Sequence, residues 1–121
     1  MPILAVDIID RPGASLAPDL AQRLADEAGR ALGAPPGTTW VLVDLIPSTR
    51  YAESGGRPGE HLPIFVHVLK RALPEGHERA AEAAALSAAI AGVCGWPPDE
   101  VHVIYEPSAL GRVAFGGAMV E

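Results

Sequence analysis

Pro2-Ile3-Leu4-Ala5-Val6-Asp7-Ile8 lines up with Pro63-Ile64-Phe65-Val66-His67-Val68-Leu69, 61 positions later. Each stretch is short, apolar and rich in β-branched residues, so each reads as a buried strand. The same step carries Trp40-Val41-Leu42-Val43 onto Val101-His102-Val103-Ile104, and Gly55-Gly56 onto Gly116-Gly117. Gly33-Ala34-Pro35-Pro36 matches Gly95-Trp96-Pro97-Pro98 with one residue of slip. Two copies of a unit of roughly 60 residues therefore account for the chain, as repeats 1–60 and 61–121 of a single domain. A half of that size buries little surface alone, so the two are expected to share one core.

Working outward, Leu20, Leu24, Ala28, Ala31 and Leu32 recur at helical spacing, which predicts a helix from near Pro18 to Gly33. Thr39 to Ile46 reads as the second strand, and a polar loop runs on to Glu60. The second half repeats the order. A strand spans Pro63 to Lys70, and a helix opened by Pro74 presents Leu86, Ala89, Ile90 and Val93 before Gly95 ends it. Val101 to Glu106 is the fourth strand, and the tail holds a short final one. The fold class is α/β, a tandem βαβ repeat. Each helix lets its two strands run parallel through a right-handed crossover. Four strands then form one sheet with both helices on one face. The strands alternate little between polar and apolar residues, so the opposite face is apolar as well. Nothing in 121 residues remains to cover it, and other copies of the chain are expected there.

Composition narrows the function. Net charge is −6, which argues against a nucleic-acid partner because phosphate binding needs a basic stripe. No apolar stretch reaches membrane-spanning length, and no charged region precedes a long apolar run, so neither a membrane partner nor a signal peptide is expected. A cytoplasmic location follows as the expectation. The single cysteine, Cys94, allows no internal disulfide and reads as a small core residue. No Cys-x-x-Cys or His-x-x-x-His spacing points to a metal, and no cofactor is expected.

The Met1-Pro2 start of a strand, the βαβ period and the Gly-Gly loops together resemble the tautomerase superfamily. That family includes 4-oxalocrotonate tautomerase (4-OT), 5-carboxymethyl-2-hydroxymuconate isomerase, malonate semialdehyde decarboxylase, 3-chloroacrylic acid dehalogenases and macrophage migration inhibitory factor. Pro98-Asp99-Glu100-Val101-His102-Val103 resembles the approach to the family's last long strand. Gly111-Arg112-Val113-Ala114-Phe115-Gly116-Gly117 resembles its closing loop, and Phe65-Val66-His67 with Leu69-Lys70 is similar to the muconate isomerase branch. The resemblance spans nearly the whole chain. It implies a homotrimer that forms a pseudo-sixfold barrel, because members with two units per chain assemble so. It also implies a site around the Pro2 nitrogen, with side chains from neighbouring strands and from a neighbouring subunit.

That chemistry starts from the secondary amine that Pro2 gains once Met1 is removed; with Met1 attached the nitrogen is an amide without basicity. An α-amino group titrates near about 8, and apolar walls disfavour its charged form. Ile3, Leu4, Phe65 and Phe115 are the expected walls. Such a base moves a proton between carbon and oxygen efficiently near neutral pH. Arginine suits a substrate carboxylate through its planar fork. Arg71 ranks first, with Arg11 and Arg112 as further substrate-binding residues beside Phe115. His102 is expected to steady a developing enolate oxygen. Each arginine also reads as a surface charge, and His102 as a packed histidine. His67 reads as structural and in need of a hydrogen-bond partner, while Trp40 and Tyr51 either line a pocket or pack. Val41 and Val113 depart from the family pattern, standing where an arginine and an aromatic are expected. The substrate implied is a small carboxylate, 2-hydroxy-dienoate or phenylpyruvate-like, in a keto–enol isomerisation. Two alternatives remain at this level: decarboxylation or hydration with Pro2 as a general acid, for which Glu106 and Glu53 are the nearest water-activating candidates, and a trimeric scaffold without turnover.

Overall fold

A computed structural model describes residues 2–56 and 61–121. Met1, whose removal the proline chemistry requires, lies outside the described residues, as does the end of the first polar loop. The order is β1 (Ile3–Asp10), α1 (Leu20–Ala31), β2 (Trp40–Pro47), β3 (Ile64–Leu69), α2 (Gly76–Cys94), β4 (Val101–Tyr105), β5 (Ala114–Phe115) and β6 (Ala118–Met119). The four long strands form one sheet in the order β2-β1-β3-β4. Strands within each half run parallel, and the halves join antiparallel through β1 and β3. The closing loop forms a separate two-stranded ribbon, β5 with β6.

Period-2 burial fixes which side of the sheet each residue serves. Leu4, Val6 and Ile8 of β1 and Ile64, Val66 and Val68 of β3 are buried, and they pack against Leu24, Ala28, Leu86 and Ile90 of the two helices. Ile9 is buried too, its amide donating to the Pro63 carbonyl at 3.2 Å. Pro18 and Pro74 precede rather than open their helices, which start at Leu20 and Gly76. α2 ends as expected, on Gly95 in the left-handed region at φ 72°, a conformation that costs glycine nothing.

Burial also corrects the register between the halves. A 61-residue step pairs half-buried Ile3 with fully buried Ile64. A 60-residue step carries Leu4, Val6 and Ile8 onto Ile64, Val66 and Val68, and Val41 and Val43 onto Val101 and Val103. An odd step would exchange the faces of every strand residue, so sequence similarity placed the alignment one residue off. On the corrected step Pro2 corresponds to Leu62, and Arg11 corresponds to Arg71.

The face away from the helices is uncovered within the chain. It carries Trp40 at 49%, Leu42 at 63% and Ile104 at 42% exposure. Asp7, Asp44, His67 and His102 share this face by strand parity.

Candidate active site

Pro2 is buried at the threshold of β1, and its carbonyl accepts the Trp40 amide at 3.0 Å. That bond ties the start of β2 to the start of β1. Trp40 lies on the open face and meets Phe115 edge to face, with ring centroids 5.4 Å apart and planes at 84°. The closing ribbon thus brings Phe115 to the Pro2 end of the sheet. Ile3 is half-buried at the same end, paired with Leu69 of the antiparallel neighbour.

Cations reach this end from the β3 side. Two residues past β3, the Arg71 guanidinium donates to the backbone carbonyl of Glu121. The Ser108 hydroxyl donates to the Arg71 carbonyl, and Arg112 Nη1 donates to the Ser108 carbonyl at 3.2 Å. The Ala109 amide donates to the Lys70 carbonyl at 2.8 Å, fastening the whole loop to the end of β3. Pro2, Arg71, Arg112 and Phe115 therefore belong to one end of the molecule. Sequence reasoning missed a group below them. Lys70 Nζ donates to Glu82 Oε2 at 2.7 Å, and the Tyr105 hydroxyl donates to Glu82 Oε1 at 2.9 Å. Burial first, and then the carboxylate that accepts its proton, hold the Tyr105 phenol well above the usual range. Glu82 sits inside an alanine-rich helix, and nothing local in the sequence marks it.

Arg11 and His102 lie elsewhere. Arg11 follows the far end of β1, about 30 Å from Pro2 at ~3.3 Å per residue. His102 pairs with Phe65, which pairs with Asp7, so it stands roughly 17 Å along the strands from the Pro2 row. Its ring lies 5.5 Å from that of Phe65, and its Nε2 is 3.9 Å from a Glu100 carboxylate oxygen. Within one chain, Leu4 faces the helices and is fully buried, while Phe65 belongs to the far end, 6.1 Å from the Tyr51 ring. Val41 also packs against the helix-side core, and Trp40 presents the side chain at that point of β2.

His67 has the partner it needs: its Nδ1 lies 3.0 Å from Glu106 Oε1, with Asp7 Oδ2 4.0 Å from Nε2. Glu106 is thereby engaged, and Glu53 accepts the Tyr51 hydroxyl at 2.6 Å. Among the described residues no group of three or more His, Cys, Asp or Glu side chains is arranged to hold a metal ion. No described helix is long and apolar enough to cross a membrane.

No family model matches the sequence, and no curated protein matches it either. Solved structures do match. A native fused 4-OT superposes with a TM-score of 0.76 at 24% identity, covering 97% of this chain and 94% of that one. A second fused 4-OT, solved as an asymmetric trimer, gives 0.75 at 23% identity with the same coverage. Malonate semialdehyde decarboxylase, studied for decarboxylase and hydratase activities, gives 0.67 at 19% identity over 94% and 90%. This chain has the fold of those fused 4-OT and decarboxylase structures. That fold accounts for the parallel pair in each half, the antiparallel seam and the closing ribbon in one scheme.

Proposed function

We propose that this chain is a cofactor-free keto–enol tautomerase acting on a small carboxylated substrate, with Pro2 as general base after Met1 is removed. The observation that carries the reading is the buried Pro2 at a strand end that also gathers Arg71, Arg112, Trp40 and Phe115. Burial and nearby guanidinium charge both favour the neutral amine, the form a base requires. The amine takes the enol hydroxyl proton while the carbonyl forms. The resulting ammonium returns that proton to the substrate carbon, so no atom is gained or lost. Arg71, with Arg112, holds the carboxylate through charge-assisted hydrogen bonds.

The working form is a homotrimer. The uncovered face exposes Trp40, Leu42 and Ile104, and trimeric fused 4-OT structures share the fold. Assembly is also the only route by which Arg11 and His102, distant from Pro2 within one chain, reach a Pro2 amine; they would act from a neighbouring copy. Likeness to malonate semialdehyde decarboxylase supports a second reading, with a protonated Pro2 as general acid in decarboxylation or hydration.

Intact mass, covalent labelling by 3-bromopropiolate and assays with phenylenolpyruvate and 2-hydroxymuconate test the first reading. Loss of Met1, labelling at Pro2 and turnover that disappears in Pro2→Ala support it. Retained Met1, or turnover unchanged by Pro2→Ala, removes the proline from the chemistry.

A further inference from the structure

The Pro2 end is two-sided. On the β2 side it offers the Trp40 indole, half exposed and locked edge to face on Phe115. On the β3 side it offers Arg71, which donates to the main-chain oxygen of Glu121, and Arg112, which donates to the Ser108 carbonyl. The Ser108 carbonyl is neutral and leaves the Arg112 charge uncompensated, so Arg112 can still meet a carboxylate. Lys70 differs, because Glu82 already neutralises it. The described cation near the start of β2, Arg30, sits in the helix layer and pairs with Glu27.

From this asymmetry we infer that Trp40 is the specificity-determining residue of the site. It selects substrates with one carboxylate and a flat apolar tail over substrates with a carboxylate at each end. The inference rests on the tautomerase reading for its chemistry and on the Trp40 geometry for its selectivity. Within the described residues of one chain, a carboxylate reaching the β2 side would be desolvated against indole and phenyl rings, with the neutral indole N–H as the donor there and no guanidinium beside it. A phenyl or diene tail meets the same surface favourably, by apolar contact and edge-to-face packing. The backbone bond from Trp40 to Pro2 ties the two strand starts together, and the edge-to-face contact with Phe115 holds the indole on that strand start.

The test has a turnover arm and a binding arm, both on the full chain. In the first, kcat/KM for phenylenolpyruvate and for 2-hydroxymuconate is measured in the parent and in Trp40→Arg. The parent is expected to favour the aromatic monocarboxylate by at least about tenfold, and Trp40→Arg to reverse that preference. Trp40→Phe, which keeps a flat apolar surface, should retain the parent order. In the second arm, the inert acids 3-phenylpropionate and adipate are titrated by calorimetry. The monocarboxylate is expected to bind more tightly to the parent, and the difference to vanish in Trp40→Arg. Equal affinities, no binding of either acid, a parent preference for the dicarboxylate, or Trp40→Arg lowering both substrates equally would overturn the inference. Selective binding without any turnover would uphold it and overturn the tautomerase reading instead. Turnover of both substrates without discrimination would do the reverse.

Discussion

At the scale of single residues, the proposed chemistry turns on Pro2 and the stability around it on Glu82. Pro2→Ala keeps a small apolar residue at a buried strand start but leaves a primary amine without the ring. Its kcat is expected to fall by about 10²–10⁴-fold, the usual worth of a positioned base, with the far-ultraviolet circular dichroism unchanged. Glu82→Ala strands Lys70 and the Tyr105 hydroxyl together. A loss on the order of 2 kcal/mol is expected, measured by urea unfolding. Tyr105→Phe should cost less, because it leaves the ion pair in place. Cys94 gives a pH dependence. Burial pushes its thiol up, against a smaller opposing effect of Arg23. The folded chain therefore keeps a proton that the unfolded chain has already released. Stability from this source is intact below the ordinary thiol range and declines as pH rises through it. Tyr105 acts with the same sign at higher pH. Melting temperature should fall between about pH 8 and about 10.5, and the slope should be shallower in Cys94→Ala.

At the scale of elements, both helices lie on one side of the sheet and hold the core together. Leu24 of α1 is fully buried in it. Leu24→Ala is expected to cost about 2–5 kcal/mol, read as a lower urea midpoint with the denaturant slope unchanged. Gly29 packs so closely that an added Cβ would come within 3.3 Å of the Thr39 hydroxyl, linking α1 to the start of β2. The elements themselves were legible because apolar period and Gly or Pro punctuation are local signals. Leu20, Leu24 and Ala28 announce α1, and Gly95 announces the end of α2. Strand parity was less legible. Pro2-Ile3 and Pro63-Ile64 look alike, yet Ile3 and Ile64 face opposite sides of the sheet. Similar residues attracted the alignment, while packing obeyed alternation. The same slip put Val41 in view and left Trp40 undecided. That Pro2 and Arg71 come to the same end of the sheet could be read, because both stand next to strand ends. The Lys70–Glu82–Tyr105 network could not, since it joins three elements far apart in sequence.

At the scale of the whole molecule, an apolar sheet face without a cover is the main fact. Leu42 projects from β2 with 63% of its surface exposed. Leu42→Lys should leave the single chain folded, because an exposed substitution changes stability by less than about 0.5 kcal/mol. Placed against another copy, the ammonium would have to shed its water. Sedimentation velocity is therefore expected to show a trimer for the parent and a smaller species for Leu42→Lys. If Arg11 and His102 serve a neighbour's Pro2, the dissociated species should also lose turnover. The burial of Pro2 has a practical outcome. Pro2 sits buried at the lip of the sheet, and Arg71 holds the main-chain oxygen of Glu121. A purification tag left in front of the proline would make the ring nitrogen an amide and, on the proposed mechanism, yield a well-folded but silent preparation. Recombinant material therefore calls for a removable leader that is cut directly before the proline.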